Sequence, residues 1–271
     1  YAMDRKQGRS PIADGTGTII DHADVRRMLA QMKADIFAAR SIGVACAIAI
    51  DMAKATGDAD WHARAALLTP IAKSFGSDTG VAVADLGVQI HGGMGFVEET
   101  AAAQYLRDAR ITPIYEGTNG IQALDFIGRK CMRDGGEGLS LILDNMISTG
   151  DIETSNSPVV AELLEALGSA IAQCKTALAY IKNEPTKSPF VAFNFMMLFG
   201  NSISYWLLVK LALAAQAHVS AGSDDRFYKQ KIATTHFFAS QVLTRNAGYL
   251  GAITGSIASY EEFGVEDFYR S

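Results

Sequence analysis

Helix breakers are scarce in this sequence: only six prolines occur in 271 residues. That scarcity, with long stretches rich in Ala, Leu and Met, leaves most of the chain free to form helix. Cysteine is scarcer still. Cys46, Cys131 and Cys174 are odd in number and far apart, which excludes a disulfide framework and favours free thiols in a reduced cytoplasm. The five histidines, His22, His62, His91, His218 and His236, show no ligand spacing, and no metal site is assigned. Basic excess is also missing. The net charge is −5 and the pI about 5.6, so the chain lacks the basic face that a nucleic-acid binder needs. No stretch alternates as a strand does, and there are no repeats, low-complexity segments or signal peptide. The most membrane-like run, Phe190 to Ala217, is interrupted by Asn194, Asn201, Ser202, Ser204 and Lys210; it reads as a buried or partner-facing helix rather than a span.

What is present is apolar and helical. Apolar residues make up 49%, enough for a sizeable core in one large or two ordinary domains. After a Gly/Pro loop over residues 7–20, helical spacing predicts a helix from Asp21 to about Thr56, with Met28, Met32, Ile36, Val44 and Ile48 on its apolar positions. A second helix spans about Asp60 to Ile90, with a kink expected at Pro70, and a third about Glu98 to Arg110. A fourth runs from about Asn119 to Met132. Asp134-Gly135-Gly136-Glu137-Gly138 marks a change of character. Leu139–Ile147 reads as a short helix and Ser148–Ser157 as a polar linker. Three long helical patterns follow, about Pro158–Asn183, Phe190–His218 and Asp224–Ser256, and then an aromatic-acidic tail, Phe263–Tyr269. The fold class is all-α: an antiparallel four-helix bundle at 1–132, a short helix and linker at 133–157, and a second helical bundle at 158–271. Tyr1-Ala2-Met3-Asp4-Arg5-Lys6 has no initiator methionine and reads as the end of a helix already under way, which suggests a piece of a longer protein.

Three stretches could carry chemistry. In Ile114-Tyr115-Glu116-Gly117-Thr118-Asn119-Gly120-Ile121-Gln122, Arg110 to Pro113 ends one helix and Thr118 looks like the N-cap of the next. Glu116 is thereby placed on a short anchored loop, where a carboxylate can serve as a general base. In Val88-Gln89-Ile90-His91-Gly92-Gly93-Met94-Gly95-Phe96, three glycines in four residues permit close backbone approach to a ligand. No strand precedes them, which excludes a dinucleotide fingerprint of the strand–helix type; taken alone the turn is a helix C-cap. Arg5 and Arg9, flanking Gln7 and Gly8, could bind phosphate, though alone they read as a solvated helix end. Arg107 and Asp108 read as a structural ion pair.

Taken together, Tyr1 to Arg9, Val88 to Phe96, Leu106-Arg107-Asp108-Ala109-Arg110 and Ile114 to Asn119 resemble the C-terminal helical domain of the acyl-CoA dehydrogenase family. The resemblance covers Tyr1 to about Arg129. It implies FAD-dependent desaturation of an acyl-CoA thioester. Glu116 would take the C2 proton while a hydride leaves C3 for flavin N5. The thioester carbonyl would accept hydrogen bonds from the flavin ribityl hydroxyl and from the backbone N–H of Glu116. Such a base works best when an apolar site, here Ile114 and Tyr115, moves its pKa upward. By the same resemblance, Arg5 matches the arginine that reaches the FAD pyrophosphate. Gln89 and Gly93 match residues that hold the ADP portion across a subunit interface, with Gly92 in the same turn, and Thr118 matches a threonine that contacts FAD near the base. Gly120 departs from the pattern, keeping only backbone donors where many members have a polar residue, and His91 replaces a common apolar residue. Residues 135–271 look like the extra helical region of longer members, which packs on the core or builds a dimer interface. The partners implied are an acyl-CoA substrate, a homo-oligomeric copy (dimer or dimer of dimers) and an electron-transfer flavoprotein, with no nucleic acid and no membrane span. The isolated piece is expected to be inactive. Two rival readings are an acyl-CoA oxidase with the same base and a non-catalytic helical scaffold.

Overall fold

In a computed structural model, described for residues 1–150 and 157–269, the chain is helical and the described residues form no strand. The order is α1 (Ala23–Thr56), α2 (Ala59–His91), the single turn α3 (Gly93–Phe96), α4 (Ala102–Arg110), α5 (Asn119–Leu124), α6 (Glu137–Gly150), α7 (Pro158–Asn183), α8 (Ser188–Ser220), α9 (Arg226–Phe237), α10 (Arg245–Thr254) and the short α11 (Ala258–Glu261). Residues 151–156 of the expected polar linker lie outside the described residues.

Local chemistry sets most of the borders. Gly57 ends α1 in the left-handed region, φ 69°, and its N–H donates to the Ala53 carbonyl oxygen at 3.0 Å. Asp58 then caps α2 by accepting from the Asp60 N–H at 2.8 Å. This tight link lays α1 and α2 side by side as an antiparallel pair. The structure stays helical on both sides of Pro70, which is buried.

Three expected helices are interrupted or shorter than the sequence pattern suggests. The one expected from Asn119 to Met132 passes after Leu124 into a π-helical stretch, Asp125–Cys131. The pattern from Glu98 breaks at Ala101, a non-glycine residue with φ 61°, where the Thr100 hydroxyl donates to the Met94 carbonyl oxygen instead of continuing a helix. The helix expected over 224–256 is interrupted after Phe237 by a π-helical stretch, Phe238–Val242, and α10 starts afresh at Arg245. That offset turns Asn246 into the core.

The core is organised on α8, which touches α1, α2, α5, α6, α7, α9 and α10. Phe195, Phe199, Ile203 and Leu208 on α8 are fully buried. Of the polar residues that punctuate α8, Asn201, Ser202 and Ser204 are buried, Asn194 is half-buried and Lys210 is exposed. Asn201 Nδ2 donates to Asn246 Oδ1 at 3.1 Å, and Asn246 Nδ2 to Ser202 Oγ at 2.9 Å. The Tyr205 hydroxyl donates to the Leu163 carbonyl oxygen, and Trp206 Nε1 to Thr149 Oγ1, both at 2.8 Å. These groups tie α8 to α10, α7 and α6. α1 and α8 are both long and apolar enough to cross a membrane, but α8 is mostly enclosed by its neighbours. Gly200 lets α8 approach α2 closely: a Cβ there would come within 2.9 Å of the Phe75 ring.

Candidate active site

The loop carrying Glu116 joins α4 to α5 and is tied down from three directions. Asn119 N–H donates back across the loop to the Pro113 carbonyl oxygen at 3.0 Å. Gln122 Nε2 donates to the Glu116 carbonyl oxygen at 3.2 Å. From α2, the Lys73 ammonium donates to the Gly117 carbonyl oxygen and to Asn119 Oδ1, each at 2.8 Å. The expected cap forms: Thr118 Oγ1 accepts from the Ile121 N–H at 3.3 Å. With both loop ends held, Glu116 sits in the left-handed region at φ 53° and Gly117 follows at φ 83°. For a residue with a Cβ, that conformation costs roughly 1–2 kcal/mol, and the surrounding hydrogen bonds hold it.

Beneath the loop is a polar cluster that the sequence reading missed. Asn119 is buried. Its Nδ2 donates to Ser77 Oγ at 3.0 Å and to Asp78 Oδ1 at 2.7 Å. Burial pushes the Asp78 carboxyl above the ordinary carboxylate range, against the Asn119 hydrogen bond and the charges of Lys73 and Arg110. The other carboxyl oxygen, Oδ2, is buried with no hydrogen-bond partner among the described residues. The available signal was Lys73, Ser74, Ser77 and Asp78 recurring at helical spacing on one side of α2.

Glu116 and Tyr115 open onto a cavity of about 360 Å³ lined also by Lys73, Ser77, Gly80 and Ala109. A second cavity, about 430 Å³, continues along the α2–α4 groove from Gly80 and Ala109 to Gly87 and His91. Small residues, Gly76, Gly80, Ala84 and Gly87, keep this groove open on the α2 side. Glu116 itself is exposed, and Ile114 and Tyr115 are about half exposed, at 49% and 52%. The apolar enclosure expected of them is therefore not completed by these two side chains.

At the far end of the groove Gly92 ends α2 with φ 60°, its N–H donating to the Gln89 carbonyl oxygen at 3.0 Å. A Cβ on Gly95 would run into the Val88 carbonyl oxygen, whereas a Cβ on Gly93 would meet nothing within 4 Å. The first residues of the chain fold onto this turn. Tyr1 stacks on the His91 ring with centroids 4.4 Å apart, and Ala2 is buried against Met28 and Ile90. His91 Nδ1 lies 2.7 Å from the Gly87 carbonyl oxygen, which gives this ring a structural job. Arg5 is exposed, and its Nη2 donates to Gln7 Oε1 at 3.2 Å.

The six candidate residues thus form two groups. Gln89, Gly92 and Gly93 lie at the C-terminal end of α2, and Arg5 follows Tyr1 and Ala2, which pack against that end. Glu116 and Thr118 lie over its middle. The twelve residue steps from Ser77 to Gln89 correspond to about 18 Å of helix.

The family described as acyl-CoA dehydrogenase, C-terminal domain, matches residues 1–131. The family described as acetyl-CoA dehydrogenase C-terminal like matches residues 144–262. A 3-methylmercaptopropionyl-CoA dehydrogenase of Ruegeria pomeroyi is 41% identical over 266 residues, covering 94% of this chain and 45% of that protein. A broad-specificity linear acyl-CoA dehydrogenase of Mycobacterium tuberculosis is 33% identical, covering 90% of this chain and 43% of its own length. The chain therefore spans less than half the length of these two curated relatives. A solved Bacillus anthracis acyl-CoA dehydrogenase complexed with FAD shares the fold with a TM-score of 0.70 at 22% identity, over 98% of this chain and 46% of that one.

Proposed function

This chain belongs to the acyl-CoA dehydrogenase family, of which it carries the C-terminal helical region, and from that premise we propose that Glu116 is the base that removes the C2 proton of an acyl-CoA thioester. The observation that carries the reading is the Glu116 loop: a carboxylate held in a costly backbone conformation, pinned by Lys73 and facing a cavity. Among the described residues the Glu116 N–H has no hydrogen-bond partner. It is free to donate to the thioester carbonyl as negative charge builds there, a role typically worth about 3–4 kcal/mol per donor. One Glu116 carboxylate oxygen takes the proton, and the electron pair left on C2 moves to form the C2–C3 double bond as hydride leaves C3.

FAD, when bound, accepts that hydride. The residues present fit such a group: Arg5 offers an exposed guanidinium for a pyrophosphate, and the open space at Gly93 leaves room for a ligand against the backbone. Thr118, two residues after the base, would stand by the flavin. By the family resemblance, Gln89, Gly92 and Gly93 are proposed to serve the flavin of a second copy in a homo-oligomer. In this reading residues 1–132 carry the chemistry and 158–271 brace it, with α8 as the shared wall. An electron-transfer flavoprotein is the proposed electron acceptor. The buried thiols Cys46, Cys131 and Cys174 suit a cytoplasmic setting.

The test is a titration of the full-length flavoprotein that contains this chain with a panel of acyl-CoAs, followed by flavin absorbance. Bleaching by a saturated acyl-CoA, with enoyl-CoA as product, is expected. A flavin that stays oxidised with every acyl-CoA overturns the reading. Peroxide formed in proportion to turnover assigns the oxidase chemistry instead.

A further inference from the structure

A concavity larger than the two α2–α4 cavities is lined by other residues than those around Glu116. It is a groove of about 920 Å³ between α1, α8 and α9, and it shares no lining residue with the two α2–α4 cavities. Its floor is apolar: Ile36, Phe37, Val44, Ile48, Leu211 and Phe227. Ile36, Val44, Ile48, Leu211 and Phe227 are each more than 40% exposed. Exposing so much contiguous apolar surface is unusual unless something covers it.

The charge at its rim is one-sided. Lys33, Arg40, Lys210 and Lys231 line the groove, and no carboxylate lines it among the described residues. That is a local reversal of sign in a chain of net charge −5. Among the described residues none of the four cations forms a salt bridge. Lys231 lies 3.8 Å from the centroid of Phe37 and 4.9 Å from that of Phe227, and Lys33 Nζ donates to Gln230 Oε1 at 3.2 Å. Burial first, then the charges of Lys33 and Arg40, hold the Lys231 ammonium below its ordinary range. An anion seated among these three groups relieves that repulsion.

The groove also has a direction. On α1 the cations occupy the first two turns of the lining, at Lys33 and Arg40. Beyond Arg40 the helix contributes only Ser41, Val44, Ala45 and Ile48. Lys33 to Ile48 spans about 22 Å. The groove volume of about 920 Å³ falls within the ~300–1,000 Å³ of small-molecule sites, and a rim of four cations, with no carboxylate among the described residues, calls for an anionic occupant. We propose that this groove binds one single-chain anionic amphiphile, a long-chain carboxylate, with its head among Lys33, Arg40 and Lys231 and its chain laid toward Val44 and Ile48. The assignment is independent of the Glu116 chemistry.

Calorimetric titration of the 271-residue chain with monomeric dodecanoate tests this. Saturable one-site binding is expected, with affinity falling as salt rises. The double variant Arg40→Glu/Lys231→Glu is expected to weaken it at least tenfold, and Val44→Asp to weaken it comparably. All these side chains are on the surface of the groove, so thermal midpoints report whether each variant still folds. Lys33→Glu/Arg40→Glu is the substitute if the first pair does not. Dodecyltrimethylammonium, with the same tail and the opposite charge, is expected not to saturate. Absence of dodecanoate binding, unchanged affinity in the folded variants, or equal binding of the cationic amphiphile overturns the proposal. So does light scattering that shows a dimer converted to monomer by Val44→Asp, because a second copy would then own the face.

Discussion

The Lys73 ammonium donates to the Gly117 carbonyl oxygen at 2.8 Å, so a side chain in the middle of α2 fixes the backbone next to Glu116. The same ammonium holds Asn119 Oδ1, coupling the loop to the start of α5. Lys73→Met keeps the aliphatic stem and removes both bonds. The expected result in the full-length enzyme is a fall in kcat of at least tenfold with FAD content unchanged. If Lys73 only supported the fold, the variant would lose thermal stability and keep its kcat.

Asn119 and Thr118 contribute differently. Thr118→Ala removes an N-cap on an exposed turn and is expected to cost about 0.5–2 kcal/mol. Asn119→Ala strips partners from Lys73, Ser77 and Asp78 at once, and leaving buried polar groups unpaired costs about 1–3 kcal/mol. Urea unfolding of both variants ranks them. Asn119→Ala is expected to be the more damaging, and the reverse order contradicts the geometry described for the cluster.

Much of this was legible in the residues themselves. Gly57, Gly92 and Thr118 end or start their helices by local backbone chemistry, and the pattern 158–183 coincides with α7, where Val160, Leu163, Leu167, Ile171, Cys174 and Leu178 are buried on one side. The break at Ala101 and the π-helical stretches at Asp125–Cys131 and Phe238–Val242 were not legible. A 3.6-residue period does not encode such departures, nor the offset after Phe237 that brings Asn246 into the core. The Glu116 loop and the glycine turn stood out as local motifs. The Lys73–Asn119–Asp78 cluster did not, since Asn119 lies more than 40 residues from the two α2 residues that it joins.

Asp78 makes a pH prediction. Its folded pKa is raised, chiefly by burial, so the folded state holds this proton more tightly than the unfolded chain does. The resulting stability is fully present below the unfolded pKa of about 3.9 and is lost as pH rises through the folded value. Asp78→Asn removes the titration and keeps an acceptor for Asn119. Its stability relative to the parent is expected to be greater at pH 7.5 than at pH 4.5 in urea midpoints. A difference that does not change with pH contradicts this.

Gly200 and the thiols test the core. Gly200→Ala forces a methyl group against the Phe75 ring and is expected to cost about 1–3 kcal/mol. Cys174 is fully buried, and burial pushes its thiol up to about 12. At pH 8 it is expected to resist thiol reagents until the protein is unfolded. Rapid labelling of Cys174 in the folded chain would show that α7 does not pack as described.

Gly93 separates ligand binding from folding. A Cβ there meets no protein atom within 4 Å, so Gly93→Ala is expected to leave the melting temperature within about 2 °C, a surface-sized effect. If the turn holds the dinucleotide, FAD retention by the full-length protein falls at least tenfold. Full retention removes Gly93 from the cofactor site.

The most direct measurement compares full-length Glu116→Gln with its parent in stopped-flow reduction of the flavin by saturating acyl-CoA. Loss of the base predicts a reduction rate lower by at least a thousandfold, with FAD content and acyl-CoA affinity within a few-fold of the parent. A variant that bleaches its flavin at the parental rate contradicts the assignment of Glu116 as the proton-abstracting base.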